Sequence, residues 1–275
     1  MTSGPRLVLA LLMALHLVCL GYSWLPRGAA AASAFFLSSS WLDLGVFDAS
    51  WLAEPPSTTF TRNDLVRLDD SPDALFYRTP RFVEHIDSSA VASLTDFHAS
   101  LIRDIAAAQS GAPVGVLDLC SSWTSHIPPS STRLIGEAVG LGMNKEELDG
   151  NPMLTRRVVQ DLNENPHLPF ENGQFDLVLL QLSIDYLTRP VDVLVEVGRV
   201  LRPSGKVAIT FSNRLFLTKT VGYWSGKPDI EHVEAVGDAL RATNGIFEMP
   251  PEGLDLHPKG RDPLFAVLAT SSRQK

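Results

Sequence analysis

VVQDLNENPHLPFENGQFDLVLLQLSIDYL, residues 158–187, decides the fold. It reads as two buried strands joined by a short polar crossover. Residues 157–162 climb to the acidic Asp161, and Phe175 to Ser183 is an almost unbroken apolar run. Runs that are apolar on both faces belong in parallel sheets, which are covered on both sides. In a doubly wound sheet the ligand sits beyond the carboxyl ends of the strands. Asp161 and the turn Ser183-Ile184-Asp185-Tyr186 are therefore expected to face one shared crevice.

Working outward, the same alternation continues in both directions. Strands are expected at Val114–Leu119, Glu137–Met143, Val158–Leu162, Phe175–Ser183, Lys206–Phe211, Phe247–Leu256 and Leu264–Thr270. Helices are expected at Lys145–Leu148, Val191–Leu201 and His232–Thr243. Strands alternating with helical patterns imply right-handed crossovers and an α/β, mostly parallel, doubly wound seven-stranded sheet. The last two strands have no helix between them, which predicts an antiparallel C-terminal edge. Upstream, Val91, Leu94, Phe97, Leu101, Ile102 and Ile105 recur at spacings of three and four, the stripe of an amphipathic helix over residues 90–109 that Gly111 ends.

Before that helix, NDLVRLDDSPDALFYRTPRFVEHIDSSA (63–90) mixes aromatics with charge and is broken twice by proline. It is expected to lie across the crevice as a lid, with Phe76, Tyr77, Phe82 and Ile86 covering apolar surface and Arg81 or His85 reaching inward. Pairing of Arg81 and His85 with Asp87 or Glu84 is the alternative. The domain thus spans 63–275, with the lid at 63–110 and the core at 114–271.

The chain has 275 residues, of which 45% are hydrophobic, enough for one full core. A net charge of -8, with no clustered basic face, argues against nucleic acid as a partner. Of the two cysteines, Cys19 lies in the N-terminal segment and Cys120 at the end of a core strand, so no disulfide is expected. His85, His126, His167, His232 and His257 show no paired metal spacing, and no metal site is expected.

Residues 1–42 contain no Asp or Glu, and an apolar run from Leu7 to Leu20 follows Arg6, as in a signal peptide. The run, about 14 residues, is short for a membrane span of ~20. Residues 30–42, AAASAFFLSSSWL, resemble the ASAF-type junction of algae with secondary plastids, where a signal peptide precedes a Ser-rich transit peptide. That resemblance implies plastid import; plain secretion or an uncleaved membrane anchor are the other readings. Residues 43–62, rich in Pro, Ser and Thr, read as a linker.

Asp161, Leu168-Pro169-Phe170, Phe175-Asp176-Leu177-Val178 and RVLRPSG (199–205) together resemble the class I S-adenosylmethionine-dependent methyltransferases of the type 11 group, in that order. VLDLCSSW (116–123), GLGMN (140–144), VVQDLNENP (158–166) and FSNR (211–214) are similar to a plant, algal and bacterial subgroup of them. The resemblance implies a Rossmann-like fold, S-adenosyl-L-methionine as cofactor and methyl transfer to an acceptor expected to be a small molecule. It places the cofactor against Asp118, Cys120, Ser121, Ser122, Met143, Asn144, Asp161, Leu162 and Ser183. Membrane contact would come only through an uncleaved N-terminal segment.

Two departures stand out. The expected glycine-rich turn is Cys120-Ser121-Ser122-Trp123-Thr124, whose small side chains leave room and whose two hydroxyls could bond a carboxylate. Trp123 is read as pinning the turn into the core. Gly142 stands where an acidic residue commonly takes the ribose hydroxyls, leaving Asn144 as the nearest polar replacement. Asp185 and Tyr186 are the candidate catalytic pair, as base or as orienters of the acceptor. Tyr77, Arg81, His85, Asn213 and Arg214 are the candidate acceptor-binding residues. A non-catalytic protein of the same fold that binds a partner or effector is the rival reading. A nicotinamide-dependent oxidoreductase is disfavoured, because no GxGxxG follows the first strand.

Fusing residues 1–43 to a fluorescent protein should direct it to the plastid of an algal host carrying secondary plastids. Retention in the cytosol would contradict the targeting assignment.

Overall fold

The structure, a computed structural model, describes residues 60–258 and 260–273 together with a two-residue strand at Gly45–Val46. Residues 42–275 cluster as one compact unit. The expected targeting segment and most of the expected linker lie outside the described residues. Among these, no helix is long and apolar enough to cross a membrane.

The strands are β1 (Gly45–Val46), β2 (Val114–Leu119), β3 (Ile135–Gly142), β4 (Arg156–Val159), β5 (Phe175–Gln181), β6 (Leu201–Phe211), β7 (Glu252–Asp255) and β8 (Phe265–Thr270). They form one sheet in the order β1-β7-β8-β6-β5-β2-β3-β4. The pairs from β4 through β6 are parallel, and β8 runs antiparallel to both β6 and β7. This is the expected mostly parallel α/β sheet with an antiparallel C-terminal edge. β1 adds a short eighth strand on β7, inside the stretch read as linker.

The two strands of residues 158–187 behave differently from one another. β5 is central and wholly buried, with Leu177 to Leu180 all at 0% exposure. Each such residue contributes roughly 1.5–3 kcal/mol. β4 is an exposed edge, separated from β5 by β3 and β2. It also ends earlier than expected, at Val159, because Asp161 turns the chain: its Oδ1 accepts from the Asn163 N–H at 2.8 Å and the Glu164 N–H at 3.3 Å. The expected strand Phe247–Leu256 shortens to β7 because Pro250 and Pro251 carry no N–H for a ladder.

The sequence motifs prove to be struts. Arg199 donates to the carbonyls of Leu168 and Phe170, both at 2.8 Å, tying RVLRPSG to LPF. Asp176 is 2% exposed and accepts from Gly115 N–H at 2.7 Å and Gln109 Nε2 at 2.6 Å, with Arg202 beside it. It thereby joins β5 to the start of β2 and to helix α2 (Ser88–Ala108), which Asp87 caps through Ser89 and Ala90.

The lid is fastened to the core at its base. A short helix α1 (Asp73–Phe76) lies within it, and the backbone of 64–69 bonds to that of 218–223. Asp73 is 5% exposed and faces Arg67 Nη1 at 2.8 Å and the fully buried Lys219 Nζ at 3.2 Å. Lys219 also donates to the Ser71 carbonyl at 2.7 Å. Removing one partner of a buried ion cluster strands the others without water. Asp73→Ala should therefore cost about 3–5 kcal/mol in denaturant unfolding; a loss below ~1 kcal/mol, the worth of an exposed pair, would contradict this role.

Candidate functional site

The strand order reverses between β2 and β5, and the loops after their carboxyl ends open onto a cavity of about 160 Å³. Its lining brings together residues from the lid (Tyr77, Arg81, Glu84, His85), the turn after β2 (Cys120, Ser121, Ser122, His126), the end of β3 (Met143, Asn144), the turn after β4 (Asp161, Leu162) and the end of β5 (Gln181, Ser183, Tyr186). Of the candidate residues, Asp118, Asp185, Asn213 and Arg214 are not among the lining.

The turn after β2 is organised by Asp118, which is 1% exposed. Its Oδ2 accepts from the hydroxyls of Ser121 and Ser125, both at 2.6 Å, and its Oδ1 accepts from Gln181 Nε2 at 2.8 Å. Burial raises its carboxyl while these three bonds pull it back. Asp118 and Ser121 were expected to contact the cofactor; instead they bond each other. The Cys120 backbone takes a φ of 57°, a conformation that favours glycine. Burial, then the charge of Asp118, pushes the Cys120 thiol up to about 12, so it stays protonated and is no nucleophile.

Gly142 has a local reason. A Cβ there would run into the Ser121 carbonyl oxygen, so no acidic side chain fits at this position while the turn keeps its path. Asn144 does not replace that acid. It is the N-cap of helix α3 (Lys145–Gly150), its Oδ1 accepting from Glu146 and Glu147 N–H at 2.9 and 3.1 Å. Its Nδ2 donates to the Tyr77 and Arg78 carbonyls at 2.8 and 3.3 Å, leaving nothing for a ribose. Ser122 is likewise engaged, donating to Glu147 Oε2 at 2.6 Å, whose Oε1 accepts from Arg81 N–H at 2.7 Å. Trp123 pins the turn to the lid rather than to the core, its Nε1 donating to the Val83 carbonyl at 3.2 Å.

These bonds join residues 77–83 to the turn after β2 and to α3. Neither Arg81 nor His85 pairs with Asp87 or Glu84: Asp87 caps α2, and Glu84 meets His126. Gln181 and His126, both missed in the sequence, complete the closure. Gln181 donates to Asp118, so its Oε1 faces His126 Nδ1 at 2.7 Å and must receive a proton there. His126 Nε2 faces Glu84 Oε2 at 2.9 Å and also needs a proton. Both ring nitrogens face acceptor oxygens, an arrangement that favours the charged ring. Burial lowers its pKa, but the bonds to Glu84 and Gln181 outweigh that and leave it raised. Beneath the turn, the fully buried His98 is pushed down to about 3 by burial and donates from Nδ1 to the Ser125 and His126 carbonyls at 3.2 and 3.1 Å. A lone Gln181 at the end of an apolar strand was the available sequence signal.

Asp161 lines the cavity with one oxygen spent on its own turn; the other has no hydrogen-bond partner among the described residues. Asp185 lies behind the wall, 4% exposed, accepting from the Thr220 hydroxyl at 3.0 Å. Burial pushes its carboxyl up to about 7, with the Thr220 bond pulling the other way. The Tyr186 oxygen accepts from Phe216 N–H at 2.9 Å. Arg214 sits outside, paired with Asp262 at 2.7 Å, and its neighbour Asn213 is exposed. Among the described residues no cluster of His, Cys, Asp and Glu is disposed to hold a metal ion.

The His126–Glu84 pair makes closure pH-dependent. A His whose folded pKa is raised contributes stability that is complete below its unfolded value of about 6.5 and disappears as pH rises through the raised value. With Glu84 partly exposed, the contribution is about 0.5–1 kcal/mol. Thermal unfolding of the parent should lose that increment over Glu84→Gln above the raised pKa. Equal pH profiles in the two proteins would contradict the latch.

The family model described as "Methyltransferase domain" matches residues 132–209. No curated protein sequence matches the chain. The fold is similar to an S-adenosylmethionine-dependent methyltransferase from Aquifex aeolicus at 16% identity and a TM-score of 0.45, covering 67% of this chain and 94% of that one. One from Archaeoglobus fulgidus gives 13% identity, a TM-score of 0.46 and coverage of 64% and 94%. One from Mesorhizobium loti gives 13%, 0.44, and 64% and 99%. The stretch matched by the family model, residues 132–209, carries β3 to β6 of the sheet and is thus similar to a methyltransferase domain, in line with the resemblance of the sequence motifs to the type 11 group.

Proposed function

We propose that this protein is an S-adenosylmethionine-dependent methyltransferase whose acceptor is a small molecule received beneath the lid. The observation that carries this reading is the cavity at the switch point, where Asp161 presents an oxygen with no partner among the described residues. Its lining mixes polar groups with apolar surface from the lid and the ends of the central strands, the make-up of a small-ligand site. The lining supports a cationic ligand too, since Glu84, Glu147 and Asp161 outnumber its one permanently charged base, Arg81.

When bound, S-adenosylmethionine supplies a methyl group on a sulfonium, activated for displacement. What remains for the chain is alignment and exclusion of water. Asp161 would accept from the adenine exocyclic amine, with Met143 and Leu162 supplying apolar surface beside it. The lid residues Tyr77, Arg81 and His85 close the acceptor side, and Ser183 and Tyr186 form the floor at the end of β5. A base is needed only where the acceptor must lose a proton. Asp185, bonded to Thr220 behind the wall and outside the cavity lining, would act only as a positioning residue for the segment that carries Tyr186. We further propose that this chemistry takes place in a plastid, on the strength of the targeting features of residues 1–42.

Titration calorimetry with S-adenosylhomocysteine tests the reading. The parent should bind, and Asp161→Ala should weaken binding by about 1–3 kcal/mol, the loss for a charge-assisted bond left unmade. Asp185→Asn should bind almost as the parent does. Absence of binding by the folded parent would favour the non-catalytic alternative.

A further inference from the structure

Arg81 differs from the other basic groups around the cavity. In the lining His126 is paired with Glu84, and beyond it Arg67 and Lys219 are paired with Asp73 and Arg214 with Asp262. Arg81 has no carboxylate within ion-pair distance among the described residues. Its one side-chain bond is from Nη2 to the Phe76 carbonyl at 3.2 Å, so most of the guanidinium's donors are unspent.

It is nonetheless held in place. The guanidinium carbon lies 4.5 Å from the centroid of the Phe76 ring and 5.5 Å from that of Phe216, and its backbone N–H is bonded to Glu147. Phe76 and Phe216 meet edge to face at 5.3 Å, and Tyr186 and His85 pack on Phe216 at 5.9 and 5.4 Å. Tyr77 closes on Phe76 at 5.0 Å. The guanidinium thus lies against two rings, Phe76 and Phe216, on which Tyr77, His85 and Tyr186 in turn pack.

A planar guanidinium fixed on aromatic faces, with its fork open, recognises carboxylates and other planar anions, and the surrounding rings favour an apolar or aromatic body. Building on the methyltransferase reading, we propose that the acceptor is an aromatic or apolar carboxylic acid, its carboxylate held by Arg81 and its body against Phe216, Tyr77 and Tyr186. The free cation is thereby matched to substrate, and the acceptor spans from Arg81 toward Tyr186.

The test uses the full-length protein saturated with S-adenosylhomocysteine, with 3-phenylpropionate as anionic probe and 3-phenylpropanamide as its neutral counterpart, both titrated by calorimetry. The acid should bind at least ten-fold more tightly than the amide, and Arg81→Met, which keeps an apolar stem for the rings, should abolish that preference while S-adenosylhomocysteine affinity stays within two-fold. Arg81→Lys should recover part of the preference. Circular dichroism establishes that the variants are folded. Equal binding of acid and amide, or no binding of the acid to the folded parent, overturns the proposal. So does loss of S-adenosylhomocysteine affinity in Arg81→Met with 5′-methylthioadenosine affinity unchanged, which would place Arg81 on the carboxylate of the cofactor's amino acid instead. If the parent binds 3-phenylpropionate in an Arg81-dependent way but not S-adenosylhomocysteine, the anion site stands and the methyltransferase reading fails.

Discussion

A carboxylate buried to 1% exposure at the end of a central strand has to be satisfied, and the site of this protein is built around doing so for Asp118. Its two oxygens draw in Ser121, Ser125 and Gln181. Those bonds set the path of the turn after β2, the side-chain orientation at the end of β5 and, through His126 and Glu84, the position of the lid. The absence of glycine from this turn follows from the same constraint. A turn that must deliver two hydroxyls to one carboxylate cannot spend those positions on glycine, and Cys120 takes the positive φ in its stead. Gly142 then becomes necessary, because the turn packs its Ser121 carbonyl against β3.

The lid is the second consequence. Glu147, Asn144 and Trp123 hold the backbone of residues 77–83, and Ser122 in turn holds Glu147. The groups left for ligands lie elsewhere. Asp161 keeps a carboxylate oxygen on the side of β4, and Arg81 keeps its guanidinium against the Phe76 and Phe216 rings.

The sheet could be read from the sequence because its signals are local and repetitive. The apolar run of β5 and the alternation with helices α4 (Pro190–Val200) and α5 (Asp229–Arg241) give the architecture without knowledge of contacts. The order of strands could not be read from one segment: residues 158–187 look like neighbours, yet two strands stand between them. Burial failed at β4 for the same reason, since an edge strand with an apolar pattern is indistinguishable from a central one until its partners are known. Site residues divide similarly. Placement at the strand ends was legible for Asp161, Met143, Ser183 and Tyr186. Which hydroxyl or amide remains free for a ligand was not, because Ser121, Ser122 and Asn144 take partners 3 to 67 residues away. Arg214 was misjudged because Asp262, which pairs with it, is 48 residues distant.

Hydrogen–deuterium exchange with and without S-adenosylhomocysteine tests most directly whether this crevice, under this lid, is the ligand site. The account predicts slowed exchange together in the lid at 77–85, in the turn at 160–164 and at the end of β5 at 181–186, with the antiparallel edge of β7 and β8 unchanged. Slowed exchange confined to another face of the domain, or no change at ligand concentrations that saturate binding, would contradict it.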